Sequence, residues 1–426
     1  MKNRAAAHIT PGRQSGFSLI ELLVAMVIGL IMSLAIFSVL QNLEGRKRTS
    51  TSINDIDQAG NYAAYALDKL VRSAGSGISQ SDGAMFGCSL TAMKDGAQIL
   101  PRPAALPAPF AAVNTGTANV FKLIPALIAP GQTTPGVSNQ ASDALVLMSG
   151  NGGHGEVATQ FTGIPATGIP APAETQLTLA NTIGFRQYDL VLINSVAAGP
   201  TGAACLIEQV KTGVAGGATS NLDLAAPPAA VPPIPNYYTN TLVGSYTDTN
   251  NTMVLNLGNA STNPPAFIVV GVGNNNTLFG FDLLQNQNPV IGGAQTAYPI
   301  ADNIFELHAL YGIDADNDGK IDSWNAATGN YTPANLTNGT VDAFKRLKTI
   351  KAIRIGLITR TALLEKVPAT DAPNPISPDS LVLFADIAAL KVTRTLNADV
   401  NSEERRYRYK TIETTIPLRN QIMISP

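Results

Sequence analysis

The chain has 426 residues, 45% of them apolar and only 14% charged, with a formal net charge of −2. That length holds one large or two modest domains, and the near-neutral charge argues against a general nucleic-acid binder. Low charge with 37 glycines, 28 prolines and many Asn, Thr and Ala fits an extracytoplasmic β-rich domain better than a cytosolic enzyme.

The first sixteen residues form a polar leader that carries Lys2, Arg4 and Arg13 and no acid. Gly16-Phe17-Ser18-Leu19-Ile20-Glu21 follows, and after Glu21 no charged residue appears until Glu44. The run between them is long enough to cross a bilayer as a helix, which takes roughly 20 apolar residues. A carboxylate at the head of such a helix is expensive in lipid and points to a functional partner. One rival reading is a secretory signal peptide, with an apolar core of roughly 7–15 residues and a small-residue cleavage site. This run is longer, holds a glutamate and lacks an Ala-x-Ala sequence after it. Another rival is an ordinary single-pass anchor with an incidental glutamate.

GFSLIELLVAM resembles the N-terminus of the type IV prepilins and their secretion-system relatives. The resemblance implies cleavage by prepilin peptidase after Gly16, N-methylation of Phe17, and pairing of Glu21 with the N-terminal ammonium of a neighbouring subunit. Opposite charges in low dielectric attract strongly, and each alone would be costly there. The leader's basic residues suit a cytoplasmic start. Arg46, Lys47 and Arg48 weaken that charge argument, so orientation rests on the motif.

The helix continues beyond the apolar run. Ile53, Ile56, Gly60, Ala63, Leu67, Leu70 and Val71 recur at three- and four-residue steps and share one face. Gly75 and Gly77 supply the stop signal. A helix from Phe17 to about Ala74 would be roughly 87 Å long. Residues 17–43 would lie in the membrane or fibre core and 44–74 would pack on a head, with Gly29 and Gly45 as soft points.

Residues 75–142 read as irregular because proline breaks them repeatedly, as in Pro101-Arg102-Pro103. Further Pro-rich patches cover Gly163–Pro172 and Pro227–Pro235. The two cysteines, Cys88 and Cys205, would lie outside the cytoplasm, where an oxidising compartment permits a disulfide; two buried free thiols are the alternative. The β-rich head is expected over 143–426. Strand-like runs fall at Ala144–Met148, Asp189–Asn194, Leu206–Val210, Phe267–Val272, Ile304–Tyr311, Ile350–Thr359, Ser380–Phe384 and Tyr407–Leu418.

Four stretches invite a chemical reading. Gly150–Gly155 formally fits G-x-G-x-x-G, but a dinucleotide site needs a helix to begin there, and VATQFTGIP is not helical. Asp314, Asp316 and Asp318 at positions 1, 3 and 5, Gly319 at 6, the Lys320 carbonyl at 7 and Asp322 at 9 match a loop that wraps Ca2+. Position 12 is Asn325 where an EF-hand has glutamate, so a shorter Asp-rich calcium loop is expected, against a solvated Asx-rich turn as the plain alternative. His8, His154 and His308 stand in unrelated contexts, and no G-x-S-x-G or paired metal-binding histidines occur. Arg405, Arg406, Arg408, Lys410 and Arg419, interleaved with Tyr407 and Tyr409, could touch a nucleic acid, but a half-exposed strand with snorkelling side chains explains them better.

NIFELHALYGIDADNDGKIDSW, LKTIKAIRIGLITRT and YKTIETTIPLRN, in that order, resemble the C-terminal segments of PilW-type minor pilins. This resemblance implies an α+β protein: a long N-terminal helix packed on a β-rich pilin-like head with extended Pro/Gly-rich loops. It implies a non-enzymatic minor pilin that primes pilus assembly near the tip. Its partners would be prepilin peptidase, other minor pilins, the major pilin and a tip adhesin. The protein would sit in the inner membrane with its head in the periplasm before joining the fibre. A minor pseudopilin of a type II secretion system shares every N-terminal feature. An uncleaved membrane-anchored adhesin or binding protein is the alternative from another class.

Overall fold

The computed structural model describes residues 16–79, 85–113, 115–133, 141–152, 158–163, 176–195, 204–211, 217, 220–224, 238, 252–285, 296–365, 376–399, 402–422 and 424. The leader before Gly16, both His8 and His154, and the Pro-rich patches at 164–172 and 227–235 lie outside them. The chain divides into two compact units, residues 1–54 and 55–426.

In the first unit helix α1 (Leu19–Ser73) begins. Its segment Leu19–Gln41, 23 residues, is long and apolar enough to cross a membrane. The large apolar side chains from Phe17 to Leu43 are exposed. Two serines of the span bond back to the helix itself: Ser33 Oγ donates to the Gly29 carbonyl at 2.8 Å and Ser38 Oγ to that of Ala35 at 2.8 Å. α1 passes Gly29 and Gly45 without a break.

In the second unit α1 presents Ile56, Gly60, Ala63, Leu67 and Val71 as its buried face. It stops where Gly75 and Gly77 take positive φ, +84° and +71°. Asn420 Nδ2 donates to the last carbonyls, those of Arg72, Ser73 and Ala74, at 3.2–3.4 Å.

The strands follow in chain order. They are β1 (Ser89–Lys94), β2 (Ala97–Leu100), β3 (Ala126–Thr133), β4 (Ala141–Ser149), β5 (Thr159–Gly163), β6 (Gln176–Leu179), β7 (Asp189–Ser195), β8 (Ala204–Gln209), β9 (Asn221–Asp223), β10 (Thr252–Asn259), β11 (Ala266–Gly273), β12 (Thr277–Asp282), β13 (Tyr298–Ala301), β14 (Ile304–Ile313) and β15 (Ser323–Asn325). Two short helices, α2 (Pro333–Thr337) and α3 (Val341–Thr349), lead to β16 (Ile350–Arg360), β17 (Ser380–Leu383), β18 (Val392–Thr395) and β19 (Tyr409–Pro417).

These strands build three larger sheets and a hairpin. One is antiparallel, in the order β15-β14-β16-β19, with Leu307 opposite Leu357 and Leu357 opposite Ile412. Ile353, Ile355, Leu357 and Ile416 share a core with Ala63, Leu67 and Val71 of α1. Gly60 marks the closest approach, where an added Cβ would collide with Ile412. The other face carries Leu310 and Ile358, packed with Leu383, Phe384 and Leu396 of the β17–β18 hairpin region. The second sheet runs β13-β12-β11-β4-β3 and the third β2-β1-β8-β7-β10-β5-β6-β9.

The stretch 75–142, which its prolines mark as irregular, is so only in part: among the described residues 101–113 and 115–125 hold no strand, but β1, β2 and β3 also lie in it, and β structure begins at Ser89 rather than at 143. For β1 the reason is non-local. β1 pairs in parallel with β8, Leu90 opposite Cys205, and the Cys88–Cys205 disulfide closes a separation of 117 residues beside that pair. β7 explains why its run reads as continuously apolar: Leu190 and Leu192 enter the main core while Val191 and Ile193 enter a second one with Phe161, Phe185 and Leu222.

Candidate functional site

Gly16 and Phe17 precede α1, and Ser18 caps it. Ser18 Oγ accepts from the Ile20 amide at 3.3 Å, and the Glu21 carboxylate accepts from the Ser18 amide at 3.2 Å. The pattern Ser-x-x-Glu is therefore a capping box, a second role for Glu21 that the sequence displays and that the charge argument passed over. It places the carboxylate at the positive end of the helix dipole, one turn from Phe17.

The acidic loop leaves β14 at Ile313. Asp314 is 2% exposed, and its two oxygens accept from the amides of Asp318 (3.2 Å) and Gly319 (3.1 Å). Asp316 accepts from the Asp318 amide at 3.1 Å, and Asp322 accepts from the Ala315 amide at 2.7 Å. Asn317 and Gly319 at positive φ, 59° and 87°, allow the tight winding. Carboxylate oxygens of Asp314, Asp316 and Asp322 lie within 4.8 Å of one another, a spacing that fits one hard cation. Asp318 does not join them. Its carboxylate takes Lys320 Nζ at 2.7 Å, and that pairing holds it below the usual carboxylate range. Asn325 sits in β15 opposite Tyr311, so the loop runs from strand to strand, unlike the helix-flanked EF-hand.

Four members of the basic run, Arg405, Arg406, Arg408 and Lys410, are engaged within the chain, while Arg419 is exposed. Arg405, 2% exposed, reaches Asp379 at 2.7 Å; Arg408 pairs with Glu365; Arg406 donates to the Glu365 carbonyl; and Lys410 reaches Asp57 of α1 at 2.7 Å. Arg405 is thus buried rather than snorkelling. Gly150 and Asn151 bind the backbone of Ser76 and Leu257, and the next described element is strand β5, not the helix that a dinucleotide site needs.

Sequence reading passed over two further clusters. Arg354 bridges Asp386 and Glu413 at 2.7 Å while packing on the Trp324 and Phe384 rings. His308 sits between Glu306 and Asp143, partners that only the meeting of β14 with β4 brings together.

Comparison with known proteins gives two family matches. Residues 266–420, from β11 to just past β19, match the family described as Type IV Pilus-assembly protein W. Residues 11–37 match the Prokaryotic N-terminal methylation motif, which spans Gly16, Phe17 and Glu21. No curated protein and no solved structure matches the chain.

Proposed function

We propose that this chain, similar to the PilW family over residues 266–420 and to the N-terminal methylation motif over 11–37, is a PilW-type, type IV pilin-like protein, and that it acts as a minor pilin that primes assembly of the fibre from a position near its tip. The PilW family is a structural component of pilus assembly. The apolar helix and the methylation motif fit membrane anchoring with pilus association. The observation that carries the reading is the unbroken α1, exposed and apolar over Leu19–Gln41, with Glu21 at its head. A lone subunit leaves that carboxylate in lipid, and a neighbouring subunit's N-terminal ammonium relieves the cost. In this reading prepilin peptidase cuts after Gly16, Phe17 is methylated, the head waits in the periplasm, and other minor pilins, the major pilin and a tip adhesin are the partners.

A deletion strain tests the priming role. It should process its major pilin normally yet display few or no surface fibres, and the full-length gene should restore them. Normal piliation with lost protein secretion would instead favour the minor pseudopilin of a type II secretion system.

We also propose that Asp314, Asp316 and Asp322 hold Ca2+. The reading is supported by the convergence of three carboxylates, one of them buried, since such a group repels itself without a cation. The affinity should be that of extracellular modules, on the order of 10⁻⁴–10⁻³ M, because no bidentate glutamate completes the shell.

A further inference from the structure

The outer edge of β14 is closed in an unusual way. β15 pairs only with Tyr311, Gly312 and Ile313. Next to them the edge is sealed by two side chains of β4. Ser142 Oγ accepts from the Leu307 amide at 3.0 Å and donates to the Leu307 carbonyl at 3.1 Å. Asp143 Oδ2 accepts from the Ala309 amide at 2.9 Å, and its Oδ1 from the Gly131 amide at 3.3 Å. These bonds join the five-stranded sheet to the four-stranded sheet.

His308 stands over this seal with 12% of its side chain exposed. Its Nε2 lies 3.2 Å from Glu306 Oε2 and its Nδ1 3.9 Å from Asp143 Oδ2. The charges around it are unbalanced. Asp143 faces it from β4 and Glu306 from its own strand. From β18, Arg394 lies 3.3 Å from Glu306 but shares its charge with Glu404 at 2.6 Å. The residue opposite on β16 is Gly356, which brings no charge, and Tyr311, whose pKa burial and then Asp143 raise, is neutral. The neighbouring β16 cations are held elsewhere: Arg354 by Asp386 and Glu413, Arg360 against the Phe305 and Tyr407 rings. Arg394 is thus divided between two carboxylates, and the ion pair of Asp143 is with His308, made only when the imidazole is charged.

We propose that His308 is a proton-operated latch: charged, it holds β4 on the edge of β14, and on losing its proton it loosens that junction. Burial works against the charged ring, yet the hydrogen bond to Glu306 and the charges of Asp143 and Glu306 together raise its pKa above the ordinary 6.5. A pKa raised on folding gives stability that is complete below the unfolded value and is lost as pH rises through the folded one. Burial raises the Asp143 pKa while the charge of His308 opposes that rise, so the ionisation of the carboxylate is tied to that of the ring.

The test is hydrogen exchange by mass spectrometry on the full chain in detergent, at about pH 6 and about pH 8, corrected for intrinsic rates. Peptides covering 304–313 should lose protection severalfold at the higher pH. His308→Gln should make that protection indifferent to pH, whereas His154→Gln should leave the change in place. Should His308→Gln fail to fold, histidine-labelled wild-type protein serves instead: one ring must titrate above pH 6.5 with the midpoint of the exchange change. Unchanged protection in the wild type, or equal loss in His308→Gln, or no ring titrating there, overturns the latch.

Discussion

At the scale of single residues, Glu21 has one observed role and one proposed role, and their demands differ. In the lone protomer it closes the capping box on Ser18, a contribution of about 1 kcal/mol to a helix start. In a fibre it would answer an incoming ammonium. Glu21→Ala is therefore expected to remain a substrate for leader removal but to fail in assembly, scored as processed subunit in membranes with no recovery of fibres; normal piliation would refute the charge pairing. Gly16→Arg should block processing itself, seen as a persistent full-length band. Gly60 is a separate case, since its side of α1 touches Thr359 and Ile412. Gly60→Leu should overpack that contact and cost about 2 kcal/mol, read as a lower unfolding midpoint with α1 still helical by circular dichroism.

At the scale of elements, the disulfide and the acidic loop make independent predictions. Cys88–Cys205 ties β1 to β8 across 117 residues of chain. Removing it with Cys88→Ala and Cys205→Ala frees a loop whose closure is worth about 4–5 kcal/mol in the chain-entropy account. Denaturant unfolding of the double variant should show that loss, and an unchanged midpoint would mean that the parallel pair holds without the bridge. For the loop, millimolar Ca2+ should raise the melting temperature of the protein by mass action, and chelator should reverse it. Asp316→Ala should abolish the response, while Asp318→Ala should keep it, because the Asp318 carboxylate is turned to Lys320. Equal loss in both variants would contradict the three-carboxylate site.

Elements also show where sequence reading succeeds. The strand-like runs at 144–148, 189–194, 206–210, 267–272, 304–311, 350–359 and 380–384 each fall on a strand, with ends moved by three residues or fewer. All carry several apolar or β-branched residues in succession, so their burial was written locally. β1 was hidden because one of its partners is distant: it needs β8, which the sequence places after six intervening strands and several proline-rich stretches, and β2 is an edge strand that pairs with β1 across the Asp95-Gly96 turn. β12 carries Gly280 mid-strand against the Tyr298 ring, and a glycine there reads as a turn signal. α3 has only nine residues and one cap, Thr340, too short a period to recognise. The candidate site divides likewise. The Gly16–Glu21 motif and the acidic loop are contiguous and legible, whereas the His308 cluster joins β4, β14 and β18 and has no linear signature.

At the scale of the whole molecule, the two family matches bracket a stretch that neither covers, residues 38–265. That stretch supplies the second half of α1, all eight strands of the largest sheet and the separate core around Phe161 and Phe185. The head thus adds a large sheet to a PilW-type portion whose own four-stranded sheet rests on α1.

The proposed function rests on the chain being processed as a pilin. The direct measurement is the intact mass, with N-terminal peptide sequencing, of protein isolated from membranes of cells that carry prepilin peptidase. The account predicts a chain that begins at Phe17, lacks residues 1–16 and carries one methyl group on its N-terminal amine. A chain that begins near residue 40, or one that retains Met1 through Gly16, would contradict it.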